Sequence, residues 1–143
     1  IAGFGAAAEA SARDLSDGKW AVIEKLRNIL EKTLEASGKP LILVGTDSTR
    51  LPNTACFAAP GWKGETQVMQ MDLAGFAVSA GSACSSGKVK ASRVLRAMGY
   101  EEDVASSAIR VSLGLETTED EVQQFAKAWL AAYERFLARK AAR

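Results

Sequence analysis

The chain predicts an α+β fold, a small sheet with helices packed on one side. Three observations carry this. Long amphipathic segments occupy both ends. Between them lie several apolar runs too short for stable helices. The connections are short and punctuated by glycine and proline, so the strands need not be parallel.

Ala2 to Asp14 is alanine-rich and reads as a helix, weakened at its start by Gly3 and Gly5. Leu15-Ser16-Asp17-Gly18 is a break. From Lys19 to Ala36, Val22, Ile23, Leu26, Ile29, Leu30 and Leu34 recur at helical spacing. Glu24, Lys25, Arg27, Glu31 and Lys32 fall opposite them, on what reads as a solvated face. Gly38 ends that helix and Pro40 blocks its continuation.

Leu41 to Val44 reads as a short buried strand, Gly45 to Asn53 as a polar loop, and Thr54 to Ala59 as a second strand closed by Pro60-Gly61. Glu65 to Leu73 is a short helix with Val68, Met69 and Leu73 inward. Phe76 to Val78 is a short strand. Ser92 to Met98 is a helix presenting Val94, Leu95 and Met98, with Gly99 past its end, and Glu101 to Ser106 is a further helical turn.

Ala108 to Leu113 alternates, Ile109, Val111 and Leu113 facing one way, Arg110 and Ser112 the other. Thr118-Glu119-Asp120-Glu121 is a capping box, in which a hydroxyl and a carboxylate satisfy each other's backbone N–H groups. The last helix runs to about Arg139 with Val122, Phe125, Trp129, Ala132, Tyr133 and Phe136 along its buried stripe.

At 143 residues the chain is one domain, large enough for a genuine core. A net charge of +1 gives no reason to expect nucleic acid or an anionic membrane as partner. No apolar run is long enough to span a bilayer, and the first residues lack a signal-peptide pattern. Two cysteines make no disulfide framework and suggest a reducing, cytoplasmic setting. The chain opens on Ile1, which reads as a mature or excised piece. It contains no histidine, so Ser-His-Asp and Cys-His catalysis and His-containing zinc sites are excluded within it; no metal site is expected.

One stretch is unlike the rest. Ser79 to Gly87 contains only small residues around Cys84, with Lys88 and Lys90 downstream. Nothing there can anchor a core, and the glycines release the backbone, so about 80–90 reads as a mobile loop. Nearby cations favour a thiolate. Cys84 is therefore either a reactive nucleophile, which its surroundings favour, or an exposed loop cysteine. Cys56 lies in an apolar strand and reads as a small core hydrophobe, inert until unfolding. Gly81 to Lys88 is not a phosphate loop, because five residues separate the glycines and Val89 stands where a hydroxyl is needed.

Arg110 sits in an otherwise small or apolar strand. It is either a charge on the exposed face, the default, or a planar fork held ready for a carboxylate.

These motifs together resemble the cysteine desulfurases of the NifS and IscS kind, pyridoxal-phosphate enzymes of the class-V aminotransferase family. Ser79 to Ser86 matches the small-residue pattern around that family's cysteine, and the following S-x-V-L-R-A-M-G also matches. Leu51-Pro52-Asn53-Thr54 resembles its L-P-N-T, and Lys63-Gly64-Glu65-Thr66 the turn before a helix. Ala108 to Gly114 followed by Thr117 to Glu121 resembles its I-R-(F/V)-S-L-G…T-T-x-E-(D/E). The matches are collinear from about Gly3 to the last helix, a specific signal. Arg93 departs from the pattern, standing where many relatives have histidine.

The resemblance implies that residues 1–143 are the C-terminal small domain of a fold-type I pyridoxal-phosphate enzyme. It implies that Cys84 takes sulfur from L-cysteine as a persulfide, leaving L-alanine, and that Arg110 grips the substrate carboxylate. The cofactor lysine motif needs a histidine that this chain lacks, so pyridoxal phosphate would be bound in a large domain outside it. A homodimer and a sulfur-acceptor or iron–sulfur scaffold protein are the partners so implied, and the chain alone would be inactive. The alternative is a free-standing sulfur carrier or interaction domain that uses Cys84 without the cofactor.

Overall fold

The computed structural model describes residues 1–81 and 91–142. Cys84 and most of the expected loop lie outside the described residues; Ala80 and Gly81 lie within them.

Helix α1 (Ala2–Ser16) runs two residues beyond Asp14 and buries none of its side chains. Gly18 turns the chain at φ +70° into α2 (Lys19–Ala36). The spacing of Ile23, Leu26, Leu30 and Leu34 puts all four in the core, while Val22 falls outside the stripe and is exposed. Arg27 and Glu31, expected on a solvated face, are buried. The loop before the second strand lies over that flank. Arg27 Nη1 donates to the Leu51 carbonyl at 3.1 Å, and Arg50 donates from both terminal nitrogens to the two oxygens of Glu31.

After Gly38, strand β1 (Ile42–Leu43) is shorter than expected and only half-buried. Strand β2 (Thr54–Ala58) leads to helix α3 (Gly64–Leu73), then β3 (Ser79–Ala80). Helices α4 (Arg93–Ala97) and α5 (Glu102–Ser107) precede β4 (Ala108–Ser112), and α6 (Glu119–Ala141) closes the chain. The four strands are ordered β1-β2-β4-β3, every neighbouring pair antiparallel. The α+β class is as expected.

The main core lies between one sheet face and the helices α2 and α6. Ala55, Phe57, Ile109 and Val111 meet Ile23, Leu30, Phe125 and Trp129 there. Phe57 meets Trp129 edge-on, with centroids 5.0 Å apart. A second cluster joins Ala58 and Ala108, on the opposite face, to Leu95 and Ala105 of α4 and α5. Helices therefore flank both faces, not one, although the second covering reaches only one end of the sheet.

Helix α3 turns a different face inward from the one its apolar residues suggest. Met69 and Leu73 are exposed, Val68 is half-buried, and Gly64, Gln67 and Met71 are buried. Gln67 decides this. Its Nε2 donates to the carbonyls of Trp62 and Ser107, both at 2.7 Å, and its Oε1 accepts from Trp129 Nε1 at 3.0 Å. A buried amide so satisfied is held in place, because turning it out would strand the indole N–H.

Two further expectations are corrected. Phe76 to Val78 forms no strand; the ladder begins at Ser79. In α4 only Leu95 is buried, since five residues offer one inward position, and Val94 and Met98 are exposed.

Candidate functional site

Arg110 occupies the middle of β4, whose alternation puts Ile109 and Val111 into the core and Arg110 on the open side. Register places Cys56 of β2 on one flank of Arg110 and Ser79 of β3 on the other. These three residues form one row across the sheet, which runs from Cys56, packed at the edge of the α4 and α5 cluster, to the exposed Arg110 and Ser79. The row borders a cleft of about 370 Å³ that is also lined by Gly81, Ser92 and Arg93.

Arg110 is exposed, and among the described residues its side chain makes no hydrogen bond or ion pair. Arg50, on the neighbouring loop, is in the opposite condition, because its fork is occupied by Glu31. One guanidinium beside Cys56 is thus neutralised within the chain and the other is presented to the cleft. Cys56 is half-buried rather than in the core. Burial pushes its thiol above the ordinary value, and the charges of Arg110 and then Arg50 pull it part of the way back. Its face was not legible, because an alanine and a cysteine at outward positions look as apolar as those inside.

The chain segments leading into and out of residues 82–90 both reach this cleft. On one side Ser79 and Ala80 are tied to β4 opposite Arg110 and Ile109. On the other, the Ser92 amide donates to the Ala105 carbonyl at 3.0 Å, and the Ser92 hydroxyl caps α4 by accepting from the Leu95 amide. A larger cleft of about 510 Å³ borders Gly81 and Ala91 from another direction, rimmed by Lys63, Arg93, Arg96 and Glu102. An Arg96–Glu102 ion pair at 2.9 Å occupies part of it. The smaller cleft is the better candidate, because it is lined by Arg110, whose guanidinium has no partner among the described residues.

The site is thus an exposed arginine at mid-strand of an α+β domain, bordering a cleft beside the approaches to residues 82–90. The chain belongs to the aminotransferase class-V family, whose pattern matches residues 1–125. It is similar to a cysteine desulfurase of Cereibacter sphaeroides, 39% identical over 124 residues, which cover 87% of this chain and 31% of that protein. It is also similar to the cysteine desulfurase NifS of Azotobacter vinelandii, at 36% identity over 124 residues, with 87% and 31% covered. A NifS-like protein from Rickettsia africae has the same fold, with a TM-score of 0.79 and 31% identity over 94% of this chain and 34% of that one. The chain therefore spans about a third of the length of the relatives it matches.

That family implies pyridoxal phosphate, and the described residues do not fit it. No described lysine is buried, none lines the cleft of Arg110, and the chain has no histidine. Among the described residues there is also no cluster of metal-ligating side chains and no helix long and apolar enough to cross a membrane.

Proposed function

We propose that the chain is the C-terminal domain of a longer cysteine desulfurase, in which Arg110 binds the carboxylate of L-cysteine and Cys84 accepts its sulfur. The observation that carries this reading is the open guanidinium of Arg110, in the cleft that both approaches to residues 82–90 border. Arginine suits the task because its planar fork pairs with both carboxylate oxygens at once. The β2–β4 pairing, five residues long, holds its backbone in place. The position of Arg110 on the open face, flanked by small side chains, leaves the fork accessible.

In the sulfur transfer, the Cys84 thiolate forms an S–S bond to the substrate sulfur as that sulfur's bond to carbon breaks. The electron pair stays with the carbon skeleton, which leaves as alanine after protonation. Cys84 keeps the sulfur as a persulfide for an acceptor. On this reading pyridoxal phosphate would be held by residues outside this chain and would supply the electron sink for that carbon, and the chain's lack of histidine supports this.

The test uses the full-length protein with L-cysteine. Alanine should form, and the peptide bearing Cys84 should gain the mass of one sulfur. Cys84→Ala should abolish both while leaving substrate binding in place. Alanine formation at the wild-type rate in Cys84→Ala would overturn the reading.

A further inference from the structure

Gly64 opens α3 where a helix would ordinarily favour a residue with a side chain. Its backbone angle is not the reason, since it does not stand at positive φ. The reason is space. A Cβ on Gly64 would lie 2.8 Å from the Ala108 carbonyl oxygen and 3.0 Å from the Ala80 Cβ. The first is closer than real Cβ contacts come, and the second is tighter than most of them. Gly64 thus marks the point where α3, the end of β3 and the start of β4 converge.

A second observation explains why α3 comes so close. Gln67, one turn further along the same face, donates to the Ser107 carbonyl and accepts from Trp129. That clamp draws α3 onto the residues that lead into β4. The approach is possible only because Gly64 has no side chain. Strand β3 is the weaker of the two elements it meets. It has two register pairs to β4, whereas β4 has five to β2. An atom added at Gly64 would press on both the Ala108 carbonyl at the start of β4 and Ala80 of β3, and β3, with the fewer register pairs, would give the more readily.

We infer that Gly64 is a positioning residue: by seating Ala80 against α3, it sets where the segment entering residues 82–90 stands relative to Arg110. The inference rests on the desulfurase reading for its effect on turnover, but its structural content does not. Carboxylate binding is carried by Arg110, two residues beyond the Ala108 carbonyl on a strand that five register pairs hold to β2. Delivery of the sulfur acceptor depends on β3, which moves.

The test is a set of variants of the full-length protein. Gly64→Ala should lower kcat for alanine formation about 10- to 100-fold, the scale of an ångström-sized misplacement. KM for L-cysteine should stay within about twofold, because the binding group is not moved. Adding Ala80→Gly to Gly64→Ala removes the Ala80 side of the collision but not the Ala108 side, and should recover part of kcat. A merely destabilising effect would instead worsen with a second glycine. Should Gly64→Ala fail to fold, Ala80→Val crowds the same contact from the other side and should give the same split between kcat and KM.

Hydrogen exchange of the peptide spanning residues 76–81 supplies a readout apart from activity. Exchange should quicken in Gly64→Ala and in Ala80→Val, while β2 and β4 stay protected. Unchanged exchange in both variants, or a kcat loss that Ala80→Gly does not recover even in part, would overturn the inference. If the wild-type protein forms no alanine from cysteine, the desulfurase reading falls, and the exchange result still decides whether Gly64 seats β3.

Discussion

Arg110 and Cys56 are register partners across β4 and β2, side by side on the sheet face that carries α4 and α5, Cys56 at the edge of their cluster and Arg110 exposed beyond it. The pairing puts a cation next to a thiol, yet burial outweighs the cation and Cys56 is held mainly as the neutral thiol. The two side chains form adjoining parts of the floor of one cleft. Arg110 supplies its charge and Cys56 a small, uncharged surface beside it.

Replacing Arg110 by lysine separates a carboxylate clamp from a surface charge. We expect kcat/KM for L-cysteine to fall about 10- to 100-fold, since an ammonium cannot reproduce two parallel hydrogen bonds worth about 1.5–3 kcal/mol together. The melting temperature should hardly change, because Arg110 is exposed. Steady-state kinetics of Arg110→Lys, with Arg110→Ala as the harsher control, checks this. Wild-type kinetics would rule out the clamp.

Cys56 should react with an alkylating reagent in the native protein, slowly at neutral pH and faster as pH rises through its elevated range. A core position would have made it inert, and its half-buried place on the cleft does not. Arg110→Gln removes the larger of the two charges that favour the thiolate, so the thiol's pKa should rise further and labelling at a given pH should slow. Timed alkylation with peptide mapping measures both effects. Labelling of Cys56 only after unfolding would show that the cleft is closed to reagents.

Gln67→Leu keeps the volume and removes the amide. The Trp129 indole N–H and the Ser107 carbonyl then lose the bonds they make to Gln67. Stability should drop by about 3 kcal/mol, the scale of leaving buried polar groups unpaired. Urea denaturation gives the value, and an unchanged midpoint would mean that water replaces the amide.

The capping box predicts a local titration. Hydrogen bonds to the Glu121 carboxylate, from the Thr118 backbone N–H at 2.8 Å and the Thr118 hydroxyl at 3.0 Å, hold its pKa below the ordinary value. The folded pKa lies under the unfolded one, so this contribution to stability is present above the unfolded pKa. It is lost as pH falls through the folded pKa. In Thr118→Ala the Glu121 midpoint should move up but stay low, because the backbone bond, the larger cause, survives. Carboxyl NMR titration reads both midpoints.

The sequence by itself determined the helices and the alternation of β4. A helix of 18 residues such as α2 repeats its periodic signal over several turns, and each end carries its own chemistry, as Gly38 and the Thr118–Glu121 box show. Arg110 could be marked as unusual because a charge among apolar strand residues stands out locally. The same local logic failed for α3, where Gln67 outranked Val68, Met69 and Leu73 for the inward face. A buried amide is stabilised only by partners far along the chain, here Ser107 and Trp129. It failed likewise for Arg27 and Glu31, which are buried because a distant loop lies over them. Only the tertiary structure could set Cys56 and Ser79 beside Arg110, or show that Gly64 is small because Ala80 and the Ala108 carbonyl leave no room. Strand register and close approach are relations between segments remote in sequence, whereas periodicity and capping are written into neighbouring residues.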